Sequence, residues 1–136
     1  MRKRMLFIFF ILIITTSCNK EEPLRSKETF NFEGIFAGIV EQDGTNLDGL
    51  KINYTATING FNPKGEIFEV YNAEYPIDTK EKNIQITDET KIYSSINSEE
   101  IAPLEIKIGS KIDFTVRLVN NHIIEATKIK VLEEIE

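Results

Sequence analysis

The sequence predicts an all-β domain, a small antiparallel barrel or sandwich of about five to seven strands. Three observations carry this. Turn signals built on Gly, Asn, Asp and Pro recur roughly every 8–12 residues from Asp43 onward. The runs between them are short, rich in β-branched and aromatic residues, and alternate apolar with polar. A third observation is the scarcity of helical signal, confined to one segment near residue 100 that is long enough for about one turn.

The first strand occupies residues 30–42 (FNFEGIFAGIVEQ). Phe36, Gly38 and Val40 fall on one side and Ile35, Ala37 and Ile39 on the other, the pattern of a strand that is covered or strongly curved. Gly34 and Gly38 permit a bend or a close backbone approach. Asp43-Gly44 is a turn signal, and the loop continues through Asn46-Leu47-Asp48-Gly49. Residues 50–58 (LKINYTATI) alternate most cleanly, with Leu50, Ile52, Tyr54, Ala56 and Ile58 on the buried face. Asn59-Gly60 turns the chain. Residues 66–75 (EIFEVYNAEY) have the composition of a strand ended by Pro76, although the alternation is imperfect and a helical turn also fits. A charged loop over 78–82 leads to short strands at 83–87 and 90–94.

Residues 95–103 (SINSEEIAP) predict a short helix, with Ser98 as N-cap, Glu99 and Glu100 at the positive end of the dipole and Pro103 as its stop. Gly109-Ser110 then opens a strand over 111–119 (KIDFTVRLV), with Ile112, Phe114, Val116 and Leu118 on one face. Asn120-Asn121 accept positive φ and make a tight turn into the return strand 122–132. There Ile124 and Ala126 share one parity and Ile129 and Val131 the other, so a bulge is expected near Thr127-Lys128. The short helical segment before this last hairpin suits a five-stranded OB-like barrel.

The N-terminus sets the address. Arg2, Lys3 and Arg4 precede an unbroken apolar run over 5–14, which as a helix would reach about 15 Å. That is half of a hydrocarbon core of roughly 30 Å, so the run suits a cleaved signal rather than a permanent span. Thr15, Thr16 and Ser17 are small, and Cys18 follows. The segment resembles a bacterial lipobox, with Thr15 where the family usually has Leu. The resemblance implies cleavage between Ser17 and Cys18 and a diacylglyceryl or acyl anchor (palmitate among the acyl chains) on Cys18. The alternative is an ordinary secretory signal with an incidental cysteine. Cys18 is the only cysteine, so no intramolecular disulfide is possible, and lipidation gives this thiol a fate.

Three sections follow: a signal peptide over 1–17, the lipidated Cys18 with a flexible tether over 18–29, and the barrel over 30–136. The tether begins Asn19-Lys20-Glu21-Glu22, which is similar to the lysine-plus-two-acids export signal of surface lipoproteins in Bacteroidota; a generic charged linker accounts for it equally well. The expected location is therefore the cell envelope, on the outer membrane and exposed at the surface where the export signal holds. After cleavage the chain carries 13 Lys and Arg against 22 Asp and Glu, a formal charge of −9. That balance disfavours nucleic acid, whose binding requires neutralised phosphates.

Thr90-Lys91-Ile92, the run LEIKIGSKI over 104–112 and the hairpin ending IEATKI over 124–129 together resemble the OB-like domains of unknown function found in bacterial lipoproteins and secreted proteins. The likeness covers roughly 34–132, with 61–82 as an inserted hairpin. It implies the barrel and supplies no catalytic residues.

Candidate chemistry is sparse. His122 is the lone imidazole, without His or Cys company for zinc, and fits a surface turn better than a ligand. The acidic pairs Glu21-Glu22, Asp88-Glu89, Glu99-Glu100 and Glu133-Glu134 lack calcium-loop spacing. Asp43, Thr45, Asn46 and Asp48 come nearest, without the distal Glu, and suit a plain turn better. No G-x-S-x-G elbow is present. Phe61, Phe68, Tyr71, Tyr75 and Tyr93 are candidates for an aromatic stacking platform, though core filling suits them better. The expectation is a non-enzymatic, lipid-anchored binding or assembly module without cofactor or metal, directed first at an envelope protein. The second reading is a binder of a small molecule or glycan through loops 43–49 and 60–65, and a hydrolytic enzyme is a remote third.

Overall fold

Among the described residues six strands build the domain: β1 (Phe30–Leu47), β2 (Leu50–Asn59), β3 (Glu81–Ile86), β4 (Lys91–Ser94), β5 (Lys111–Val119) and β6 (Ile123–Glu133). The computed structural model describes residues 23–74 and 81–133. The expected signal peptide, the Ser17–Cys18 cleavage and lipidation position, and Tyr75 lie outside these residues. Strands run in the order β3-β2-β1-β5-β6-β4, and a parallel contact between β3 and β6 at Gln85 and Glu125 closes five of them into an OB-like barrel. The sixth, β4, pairs in parallel with the far half of β6. All other strand pairs are antiparallel.

β1 is longer than expected. Asp43 and Gly44, which the sequence suggests as a turn, have φ of 54° and 75° but sit in a bulge between the pairs Glu41–Tyr54 and Thr45–Ile52. The chain turns instead at Asp48-Gly49, φ 49° and 90°, between the paired residues Leu47 and Leu50. Two successive positive-φ residues match the twist of a two-residue hairpin, and the Asp-Gly next to the strand end takes that role. Gly34 is needed for close approach, because a Cβ there would lie 2.6 Å from Ile58 Cγ2.

The expected strand over 66–75 is a helical element: a 3₁₀ turn at Glu66–Phe68 and the short helix α1 at Glu69–Glu74. The imperfect alternation has a physical reason. Phe68 and Tyr71 are three residues apart, share one helical face, and are the two buried residues of the segment. Where the sequence suggests an inserted hairpin over 61–82, the described residues 61–74 form a cap on the barrel core. Phe61, Phe68 and Tyr71 are all at most 2% exposed. Phe61 packs 4.8 Å from Phe32 and 5.1 Å from Phe114, centroid to centroid, while Phe68 packs 4.9 Å from Phe30. Each such fully buried side chain stabilises the fold by about 1.5–3 kcal/mol.

The expected helix over 95–103 is also absent. Ser98 has φ 58°, and the segment folds back on β4 through Ser94 N–H to Glu99 O at 2.9 Å and Ile101 N–H to Ile92 O at 2.9 Å. Those bonds engage the backbone groups a helix would use. The helical geometry moves to a 3₁₀ turn at Pro103–Glu105, where proline's fixed φ suits a first turn. The last hairpin turns where its sequence puts it, but through three residues, 120–122, instead of two, so that Val119 pairs with Ile123. Asn120 and Asn121 have φ of 52° and 68°, and a register shift at Thr127 separates the pairs Thr115–Lys128 and Val116–Ala126.

Part of the stretch expected as a tether is held on the barrel. Leu24 N–H donates to Asn120 Oδ1 and Asn120 N–H to Leu24 O, each at 2.8 Å, and Ser26 N–H donates to Leu118 O at 2.8 Å. Leu24–Ser26 thereby continues the line of β1 along the end of β5, where the edge of β5 would otherwise be unpaired.

Candidate functional site

The barrel interior is filled. Phe36, Ala56, Ile58, Phe61, Ile84, Ile112, Phe114, Val116, Ile124 and Ile129 form one buried cluster, so any ligand must be met on the outer face or at the rims.

Most candidate residues resolve into structural roles. Phe61, Phe68 and Tyr71 fill the core, which removes them as a stacking platform. His122 lies between two carboxylates: its Nε2 is 2.8 Å from Asp48 Oδ2 and its Nδ1 3.9 Å from Glu74 Oε1, tying the two hairpin turns and α1 together. In the 43–49 loop the oxygens are used locally. Thr45 Oγ1 donates to Gln42 O, and Asn46 Oδ1 accepts from Gly49 N–H at 2.9 Å. Among the described residues no group of three His, Cys, Asp or Glu is placed to hold a metal ion, and no helix is long and apolar enough to cross a membrane.

A charge network that the sequence did not single out lies on the outside of the β5–β6 hairpin. Glu125 is 0% exposed, and its Oε1 accepts from Arg117 Nε at 2.8 Å and from Arg25 Nε at 3.1 Å, while Thr87 Oγ1 donates to Oε2 at 2.5 Å. Glu89 completes the group, 3.1 Å from Arg25 Nη2 and 3.4 Å from Arg117 Nη2. Burial pushes the Glu125 carboxyl up, but the hydrogen bonds from Arg117 and Thr87 and the Arg117 charge outweigh it and hold the group below its usual range. Arg117 is raised in turn, chiefly by its hydrogen bond to Glu125 against the opposing effect of burial. The expected turn would have hidden it: a two-residue turn at Asn120-Asn121 sets Arg117 opposite Ile124, whereas the three-residue turn over 120–122 pairs Val119 with Ile123 and so Arg117 with Glu125.

The remaining feature is a cleft of about 420 Å³ on the outer face of β4 and β6, lined by Lys91, Tyr93, Ser94, Ser95, Ser98, Thr127, Lys128 and Lys130. Strand parity builds it. Ile92 and Ile129 point into the core, so Lys91, Tyr93, Lys128 and Lys130 point out. The parallel register sets Lys91 opposite Lys128 and Tyr93 opposite Lys130. Across β5, Lys130 faces Asp113, but that carboxylate accepts from Asn31 Nδ2 at 3.0 Å and forms no ion pair with it. None of the three lysines joins an ion pair among the described residues. Tyr93, on this wall, is the one described member of the expected aromatic platform outside the core.

A second cleft, about 440 Å³, lies on the other side of β4 between Tyr54, Ile86, Ile101 and Pro103, with Asn53, Asp88 and Glu100 at its polar edge. Asp88 there accepts from Asn53 Nδ2 at 2.6 Å.

No protein-family model matches the chain. No curated protein matches it either. Among solved structures, the chain is similar to residues 10–88 of a tryptophan variant of CusF with Cu(II) from Escherichia coli, with a TM-score of 0.45 and 18% sequence identity, over 79% of this chain and 96% of that one.

Proposed function

We propose that the protein is a non-catalytic binding module of the bacterial cell envelope, held by lipid on Cys18, that takes its ligand on the outer face of β4 and β6. The observation that carries this reading is the open cleft between Lys91, Tyr93 and Lys128, set beside a barrel interior closed by packed side chains. At about 420 Å³ it falls within the size range of small-molecule sites. The cleft shifts weight from the protein partner expected from sequence to a small molecule or glycan, on a different surface from loops 43–49 and 60–65. Phe61 of the second loop is committed to the core.

A protein partner is the second reading. Leu104 and Ile108 are 60% and 69% exposed on the turn before β5, which gives a partner an apolar foothold. The two readings separate in one experiment. A photoreactive phenylalanine analogue replaces Tyr93, or Leu104, in the full-length lipidated chain, and adducts are collected from envelope membranes. Low-mass or glycan adducts from position 93 support the first reading. Protein adducts from position 104 alone favour the second, and no adduct from either site sinks both.

A further inference from the structure

Resting on the reading above, we infer that the β4–β6 cleft is a site for a phosphate-bearing ligand of about sugar size. The cleft is cationic in a chain whose formal charge is −6 over all 136 residues. No carboxylate is among its lining residues, while three lysines are. Lys91 and Lys128 stand directly opposite one another in the parallel ladder, an arrangement that costs stability in a free sheet because like charges repel. An anion seated between them removes that cost.

Charge separates phosphate from carboxylate. A phosphomonoester carries about 1.5 to 2 negative charges near pH 7 where a carboxylate carries one, so three lysines with no carboxylate among them match phosphate better. Lysine serves such a group as a compact point charge. Hydroxyls supply the remaining donors: Ser94, Ser98 and the phenol of Tyr93 line the same space, while Ser95 and Thr127, also on its wall, donate to Leu132 O and Thr115 O. The ring of Tyr93 adds a half-buried wall beside Lys130, against which the apolar face of a sugar packs. A bare phosphate would leave most of the volume empty.

The test uses the full-length chain in detergent at low ionic strength, titrated calorimetrically with glucose 6-phosphate, glucose and glucuronate. Saturable binding of glucose 6-phosphate is expected, with glucose at least about tenfold weaker because it brings no charged acceptor, and glucuronate weaker because it brings one charge instead of nearly two. The double variant Lys91→Gln/Lys128→Gln is expected to lose at least about tenfold, and Lys51→Gln, on the separate cleft beside Asp43, to lose nothing. Equal binding of glucuronate, no saturable binding, or binding only to phosphatidylglycerol vesicles overturns the inference. Where adducts from position 93 persist without phosphate binding, the binding face stands and only the ligand class falls; where both are lost, the reading of the face falls with it.

Discussion

Arg117 Nε donates to Glu125 Oε1 at 2.8 Å across the last hairpin, and the carboxylate that receives it is fully withdrawn from solvent. A buried carboxylate is tolerated when each oxygen is satisfied, and here Arg117, Arg25 and Thr87 do so. Removing one partner leaves charge in a dry place. Arg117→Met, which keeps the apolar stem, is expected to cost about 3–5 kcal/mol in urea unfolding at pH 7. A loss under 1 kcal/mol would show that Arg25 alone suffices.

The same group sets an acid limit. The Glu125 carboxyl titrates below its ordinary value of 4.5 in the folded chain, so its contribution is complete above pH 4.5 and is lost as pH falls through the lowered folded value. The wild-type midpoint in urea is therefore expected to drop on acidification below pH 4.5, and Glu125→Gln to flatten that drop while being less stable at pH 7. Parallel curves for the two proteins from pH 6 to pH 3 would refute the assignment.

Much of this architecture was legible in the sequence, and the misses share a cause. The hairpin turn at Asn120-Asn121 and the bulge at Thr127 are local, set by backbone preference and side-chain parity, and both stand where the residues put them. Helical and extended choices at 66–74 and 95–103 depended on tertiary contacts: Phe68 and Tyr71 needed the aromatic cluster, and Glu99 needed β4. The cleft was hidden for a related reason. Lys91 and Lys128 are 37 positions apart and meet only through the parallel β4–β6 pairing. Had that pairing been known, alternation alone would have put both lysines outward.

Gly34 tests the packing on the opposite side of the barrel. Its hydrogen faces Ile58 Cγ2 and the carbonyl of Asn59, with a would-be Cβ 2.6 Å and 3.1 Å from them. Ile58 is fully buried and cannot swing away. Gly34→Ala is expected to destabilise by about 1–3 kcal/mol, as overpacking in a filled core does. A circular dichroism melt indistinguishable from wild type would mean that β1 and β2 separate there at no cost.

Asn120 links three pieces of chain and bears on the proposed anchor. Its side chain accepts from Leu24 N–H and donates to Asp48 O at 2.9 Å, beyond its role in the turn. Asn120→Gly keeps the positive φ and removes both bonds. The expected result is faster hydrogen exchange at Leu24–Ser26 and a stability loss of about 1–2 kcal/mol. Unchanged exchange there would assign the docking to the bonds that survive the substitution, Asn120 N–H to Leu24 O and the Ser26–Leu118 pair.

That docking would shorten the reach of a lipid if Cys18 carries one. Five residues lie between Cys18 and Leu24, six Cα-to-Cα steps that span at most about 20 Å when fully extended. Lipidation at Cys18 would therefore hold the Asn120 end of the barrel close to the bilayer, instead of on the longer leash that a free tether over 18–29 would give. Two measurements separate the anchor from the docking. Cys18→Ala is expected to abolish incorporation of radioactive palmitate and to release the protein from membranes. Asn120→Gly is expected to keep the label while moving the domain outward, read as lower energy transfer from a fluorophore at residue 121 to a lipid-surface acceptor. Label persisting in Cys18→Ala would remove the anchor itself. Equal energy transfer in the wild type and Asn120→Gly would leave the anchor intact and show that Leu24–Ser26 does not set the height of the domain.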